Sequence, residues 1–262
     1  MYNKERIERI FDLLKAKGSI SVNELTEMFG VSGATIRSDL AKMEKAGLLT
    51  RAHGGAMMNS SLFRETLLTE RIHNDKKKLI AKKALEFIHE RDIILLDTGT
   101  TMVAFAEALA KSPIEELTVY SNDLDVIRIL EEKEHFSLML LGGKVRNRFH
   151  YCYGAEMRSE LSNYHFTSLF LAASAIHETH GLTTENTDLA GIKSEMIKAS
   201  GNVILLADSS KVGIVHLKKF ASLSDVDTLI MDRNLTPEVE QMLRSSIKNL
   251  ILTPEISTTG PQ

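Results

Sequence analysis

Four short polar stretches in this 262-residue chain could do chemistry, and each follows an apolar run. Asp97-Thr98-Gly99-Thr100-Thr101 comes directly after Ile93 to Leu96, and Ser121-Asn122-Asp123 after Leu117 to Tyr120. Gly142-Gly143-Lys144 follows Leu138 to Leu141, and Asp208-Ser209-Ser210-Lys211 follows Val203 to Ala207. The first stretch joins a buried strand to a helix start, where unpaired amides and threonine hydroxyls converge as they do in anion sites. Taken alone, it reads equally well as a capped turn with the threonines as caps. The other three tip the balance toward binding: amides and carboxylates suit hydroxyl groups, and lysine suits a phosphoryl group. The ligand class is a small polyhydroxylated anion. Asp123, Glu185 and Asp208 would also serve an aldose–ketose isomerase as proton-transfer carboxylates, so an isomerase with an accessory head is the alternative. Gripping hydroxyls without turnover is the favoured role, and the chain is not expected to be an enzyme.

Those loops need a scaffold that opens them on one side. The apolar runs, with Ser168 to Ala172 and Leu229 to Met231 added, alternate with helical patterns at Met102 to Leu109, Leu124 to Leu130, Ala190 to Ala199 and Pro237 to Leu243. Strand and helix in alternation predict βαβ units around a mostly parallel, doubly covered sheet. Ligands on such sheets sit beyond the carboxyl ends of the strands, where all four loops would open.

The first 58 residues read differently. Ile7, Ile10, Phe11 and Leu14 predict a helix over about Lys4 to Ala16, stopped by Gly18. Ser21 and Glu24 have the spacing of a capping box before Val22, Leu25 and Phe29, and Gly30 ends that second helix. Ser32 is a suitable N-cap for a third, with Ile36, Leu40 and Met43 inward, ending near Gly47. A strand at Leu48-Leu49-Thr50, a His53-Gly54-Gly55 turn and Ala56-Met57-Met58 complete a hairpin. The result is a winged helix-turn-helix, whose second helix enters the major groove of double-stranded DNA. Helical geometry turns Ala34, Ser38, Ala41 and Lys45 outward, with Arg37 and Lys42 on the flanks as phosphate contacts. Ser32 and Thr35 either touch phosphate or cap the helix, and Arg51 and His53 can follow the backbone from the wing. Asp39 would repel DNA and is expected to pair with Arg37 or another basic side chain. Met57 and Met58 are expected to pack against the wing.

Three parts follow: a DNA-binding domain at 1–58, a linker at 59–75 and an effector-binding domain at 76–262. Net charge is −3, with +2 in residues 1–58 and −5 in the remainder, so the basic share sits at the front. A single cysteine, Cys152, excludes an internal disulfide. The charged N-terminus is not a signal peptide and no apolar stretch could cross a bilayer, so a cytoplasmic protein is expected. His177 and His180 lack the companions a metal would need, and neither metal nor cofactor is expected.

The residues Val31-Ser32, Thr35-Ile36-Arg37, Asp39-Leu40 and Arg51-x-His53-Gly54-Gly55-Ala56 resemble the signature of the DeoR family of bacterial regulators. Ser38 stands where the family usually has a second Arg, which implies a different operator preference. The later part resembles the family's C-terminal sensor domain, similar in fold to ribose-5-phosphate isomerase, through Asp97-x-Gly99-Thr100-Thr101, Asn122, Gly142-Gly143, Gly181-Leu182, Lys193 and Asp208-x-Ser210-Lys211. Ser121 replaces a common Thr, and Ala175 stands where glycine is frequent. The resemblance implies that the first loop and Lys211 hold phosphate, with Asn122, Lys193 and Asp208 near the sugar. It further implies a repressor of carbohydrate genes, controlled by a phosphorylated sugar. Because one winged helix offers little contact area, a homodimer or homotetramer on repeated half-sites is expected.

Overall fold

The structure is a computed structural model and describes residues 6–7, 9–11, 13–14, 19–45, 49–52, 54–58, 74–147 and 149–254. The chain divides into two compact units, Met1–His73 and Asn74–Gln262.

In the first unit, helical residues between Arg6 and Leu14 precede β1 (Ser19–Ser21), α1 (Val22–Phe29), α2 (Gly33–Lys45), β2 (Leu49–Ala52) and β3 (Gly55–Met58). The capping box forms at the start of α1. Ser21 Oγ accepts from the Glu24 amide at 3.1 Å, and the Glu24 carboxylate accepts from the Ser21 amide at 2.9 Å. Gly30 ends the helix in the left-handed region at φ 64°, which a side chain would disfavour. Ile10, Leu14, Leu25, Ile36, Leu40, Met43 and Leu49 form the core that holds α2 in place.

The hairpin β2–β3 is the expected wing, and β1 adds a third antiparallel strand in the order β1-β3-β2. Sequence reading missed β1 because it is three residues long and runs into the α1 cap. Strand alternation buries Ala56 and leaves Met57 53% exposed, so the expectation that Met57 packs against the wing is wrong. The side chain of Met58, the turn residue His53 and the segment 59–73 lie outside the described residues. A Cβ on Gly55 would stand 2.4 Å from the Ile20 carbonyl oxygen. Gly55→Ala should therefore destabilise this unit by about 1–3 kcal/mol, the usual cost of overpacking, read as a lower melting temperature of the first unit.

The second unit opens with α3 (Asn74–Ala84) and continues with β4 (Ile93–Leu96), α4 (Thr100–Ala110), β5 (Leu117–Ser121), α5 (Leu124–Leu130) and β6 (Phe136–Leu140). Next come the hairpin β7 (Lys144–Arg146) and β8 (Tyr151–Tyr153), α6 (Ala155–Leu161), β9 (Ser168–Ala172), β10 (Ala175–His177) and β11 (Gly181–Thr184). The unit closes with α7 (Thr187–Lys198), β12 (Val203–Leu206), β13 (Lys218–Ala221), β14 (Thr228–Met231), α8 (Pro237–Ser246) and β15 (Asn249–Leu252).

Seven strands form the parallel sheet β15-β14-β12-β9-β4-β5-β6. Alternate residues serve opposite faces. Ile94, Leu96, Phe170, Ile204 and Ile230 join a core with Ile80 of α3 and Phe105 of α4, whereas Leu95, Leu169, Leu171, Leu205 and Leu229 join Met196 of α7 and Leu243 of α8. Double coverage explains why these strands read as unbroken apolar runs. A small antiparallel sheet, β10-β11-β13, stands apart from the main one.

Candidate functional site

In the first unit the outward surface of α2 is polar and small. Ala34, Arg37, Ser38 and Lys42 are exposed, as expected of a helix that presents itself to a groove. Ser32 Oγ accepts from the Thr35 amide at 3.2 Å and so caps the helix, and it lies 2.9 Å from Thr35 Oγ1, which braces it. Asp39 is 1% exposed and pairs with Arg6, Nε to Oδ2 at 2.7 Å, rather than with Arg37. That pair ties the leading helical residues to the middle of α2. Arg51 is held by Glu44 of α2 through its backbone N–H at 2.9 Å and its Nε at 2.6 Å, which fastens the wing to the helix.

In the second unit, all four polar loops leave the carboxyl ends of strands of the main sheet, and three of them meet buried partners. Asp97 is fully buried, and its Oδ2 accepts from the Ala172 amide at 2.9 Å and from the ammonium of Lys193, itself 3% exposed. Lys193 also donates to the Ala172 carbonyl at 2.9 Å and lies over the Phe220 ring. One carboxylate thus joins β4, β9 and α7.

Asp123 shapes the first loop. Its Oδ2 accepts from Thr98 Oγ1 at 2.7 Å and from the Gly99 amide at 3.1 Å, while Oδ1 caps α5 by accepting from the amides of Asp125 and Val126. Burial pushes its carboxyl above the usual range, against these four hydrogen bonds, which pull it down. Both oxygens are engaged in structure. Glu185, the second of the three carboxylates with a conceivable proton-transfer role, lies 3.0 Å from His216 Nδ1.

Gly99 adopts φ 123° and has no side chain with which to cap α4, so the first-turn amides, together with Thr100 and Thr101, form the expected helix-start arrangement. Two buried acceptors nearby, Asp97 Oδ1 and Asn122 Oδ1, have no hydrogen-bond partner among the described residues. Such atoms cost stability unless a donor arrives. Asn122 uses its amide to hold the Cys152 carbonyl at 2.9 Å, and the β7–β8 hairpin is thereby laid across the end of β5.

Lys211 belongs to the short turn Ser209–Lys211 after β12, partly exposed. Asp208 holds that turn by accepting from the Ser210 amide at 3.0 Å, and Asp232 accepts from the Ser209 amide at 2.6 Å. Since β9 alone separates β12 from β4, this turn and the 97–101 loop leave the sheet about 10 Å apart. Gly142 and Gly143 are exposed at the start of the β7–β8 hairpin. A Cβ on Gly143 would stand 2.6 Å from the Tyr153 carbonyl oxygen, so its evident role is close backbone approach.

Sequence reading missed three participants. Tyr151 is buried beside Asn186, whose Nδ2 donates to its hydroxyl at 3.3 Å. Burial raises the phenol pKa, and the neighbouring Arg146 lowers it. Lys77 of α3 donates to Thr100 Oγ1 at 2.7 Å. Lys76 pairs with Asp232 at 2.9 Å. Lys76, Lys77 and Lys78 are consecutive, which reads as a solvated charge run; for Tyr151 nothing in the local pattern pointed to the site.

A winged helix-turn-helix with an exposed recognition helix, carried on the same chain as a doubly wound α/β unit, defines a DNA-binding transcriptional regulator. A family profile described as the DeoR-like helix-turn-helix domain matches residues 6–62, and one described as the DeoR C terminal sensor domain matches residues 72–233. The chain belongs to the DeoR family. It is 32% identical to the HTH-type transcriptional repressor GlcR of Bacillus subtilis (strain 168), over 89% of this chain and 90% of that protein. It is 33% identical to the lactose phosphotransferase system repressor of Streptococcus mutans, over 88% and 93% of the two chains. Ribose 5-phosphate isomerase A from Neisseria gonorrhoeae overlaps with 56% of this chain and 56% of its own at a TM-score of 0.41 and 22% identity, too little to bear on function. Among the described residues no helix is long and apolar enough to cross a membrane.

Proposed function

We propose that the protein is a cytoplasmic repressor of carbohydrate-metabolism genes that binds repeated operator half-sites as a homodimer or homotetramer and changes its grip when a phosphorylated sugar binds the second unit. The observation that carries this reading is the pair of buried acceptors, Asp97 Oδ1 and Asn122 Oδ1, beside an uncapped helix start. Hydroxyl groups of a sugar would supply the donors, and the phosphoryl group would take the amides of α4, with Lys211 reaching it from the neighbouring turn. Lys193 and Asp208 face the polyol side of that arrangement, while Ser32, Ala34, Thr35, Arg37, Ser38, Lys42, Arg51 and His53 form the DNA-facing set. One relative is named as the repressor of the lactose phosphotransferase system, which supports the choice of ligand class.

A ligand shifts operator binding only through unequal affinity for two arrangements of the protein. In a fluorescence-anisotropy titration, one sugar phosphate should change operator affinity by about 5- to 150-fold, the usual range of coupling between sites. Affinity without ligand should fall steeply with added salt, because counterion release dominates phosphate contacts. Operator affinity that stays constant across aldose and ketose phosphates would refute the sensing half.

A further inference from the structure

Helix α3 touches both loops to which the phosphoryl group has been assigned. Lys77 is 2% exposed, and its ammonium donates to Thr100 Oγ1 at 2.7 Å, on the first residue of α4. Its neighbour Lys76 donates to Ser209 Oγ at 3.1 Å and pairs with Asp232 at 2.9 Å, and Asp232 in turn accepts from the Ser209 amide and hydroxyl. Adjacent residues on a helix diverge by about 100°, so one turn of α3 reaches the 97–101 loop with one side chain and the 209–211 turn with the next.

We propose that Lys77 is a phosphate ligand of the effector, and that Lys76 and Lys77 together make α3 the element that reports occupancy. The inference rests on the sugar-phosphate reading of this site. An ammonium carries three N–H donors, so Lys77 can hold the Thr100 hydroxyl and a phosphate oxygen at once. A phosphoryl group at the amides of Thr100 and Thr101 lies within reach of a cation already seated on that threonine, and the pairing is charge-assisted. When the 97–101 loop and the 209–211 turn draw together on a shared anion, the helix fastened to both must shift with them. Helix α3 begins at Asn74, directly after the segment that leads from the DNA-binding unit. Its buried face, Ile80, Ala81 and Ala84, lies in a close-packed core, so it moves as a body rather than bending.

The test uses the full chain and four proteins: wild type, Lys77→Met, Lys77→Arg and Lys76→Met. Each is titrated with hexose 6-phosphates, pentose 5-phosphates, the corresponding free sugars and inorganic phosphate, with melting temperature and operator retention as readouts. Lys77→Met should bind the best sugar phosphate roughly 10- to 100-fold more weakly, the value of a hydrogen bond to a charged group, and free sugar as wild type does. Lys77→Arg should recover most of the loss. Lys76→Met should keep ligand affinity within about threefold, well under the loss of a charged hydrogen bond, and lose the ligand-driven change in operator retention. Equal loss of phosphorylated and free sugar by Lys77→Met would mark a structural lysine and overturn the proposal, as would unchanged affinity or a full operator response in Lys76→Met. A wild-type protein that ignores every sugar phosphate would instead bring down the reading of the site itself.

Discussion

Lys193→Met is expected to cost the second unit about 3–5 kcal/mol, the penalty for stranding one partner of a buried ion pair. The substitution keeps the side-chain length and leaves the buried Asp97 carboxylate without its cation. Removing both charges should cost far less. Asp97→Asn combined with Lys193→Met is expected to recover more than half of the loss, because an uncharged amide can still accept from the Ala172 amide. Urea unfolding of the three variants reads this directly. A single-variant loss under about 1 kcal/mol, the level of a surface pair, would mean the pair is solvated.

The second large effect belongs to Asp39→Ala. Arg6 is buried with Asp39, and removing the carboxylate leaves a guanidinium inside the first unit. A loss of about 3 kcal/mol is expected, and because the pair ties α2 to the leading helical residues, operator affinity should fall by roughly 100-fold with it. Arg37→Ala is the matched contrast. Arg37 is exposed, so stability should stay within about 0.5 kcal/mol while binding weakens on every operator sequence and the salt dependence becomes shallower. Calorimetry and anisotropy on the same preparations separate the two behaviours. An Asp39→Ala protein that melts like wild type would refute the assignment.

Much of the scaffold was legible because burial on both faces leaves a plain mark. Ile93–Leu96 is an unbroken apolar run and Ser168–Ala172 is one after its leading serine, and their strands coincide with them. The capping box at Ser21 and the stop at Gly30 are local chemistry, visible over a few residues. Short strands left no comparable mark. β10, β11 and β13 are three or four residues long, so neither alternation nor an apolar run set them off, and the run Leu250-Ile251-Leu252 of the partly buried β15 is only three residues long. The partners of buried charge were the least visible. Asp39 was expected to find a basic side chain nearby, whereas Arg6 lies 33 positions away. Lys193 and Asp97 are 96 apart, and Lys77 sits among other lysines. Such pairings are decided by tertiary packing, which no window along the chain contains.

The strand order also governs how the protein can be made. Ile94 of β4 pairs with Val119 on one side and with Ser168 on the other, so the middle of the sheet is laid down long before one of its neighbours exists. A chain emerging from the ribosome carries β4, β5 and β6 with the inner edge of β4 bare until β9 is translated, whereas the described strands and helices of the winged unit are all translated by residue 58. The DNA-reading head can therefore mature first, while the parallel half-sheet remains a natural client for chaperones.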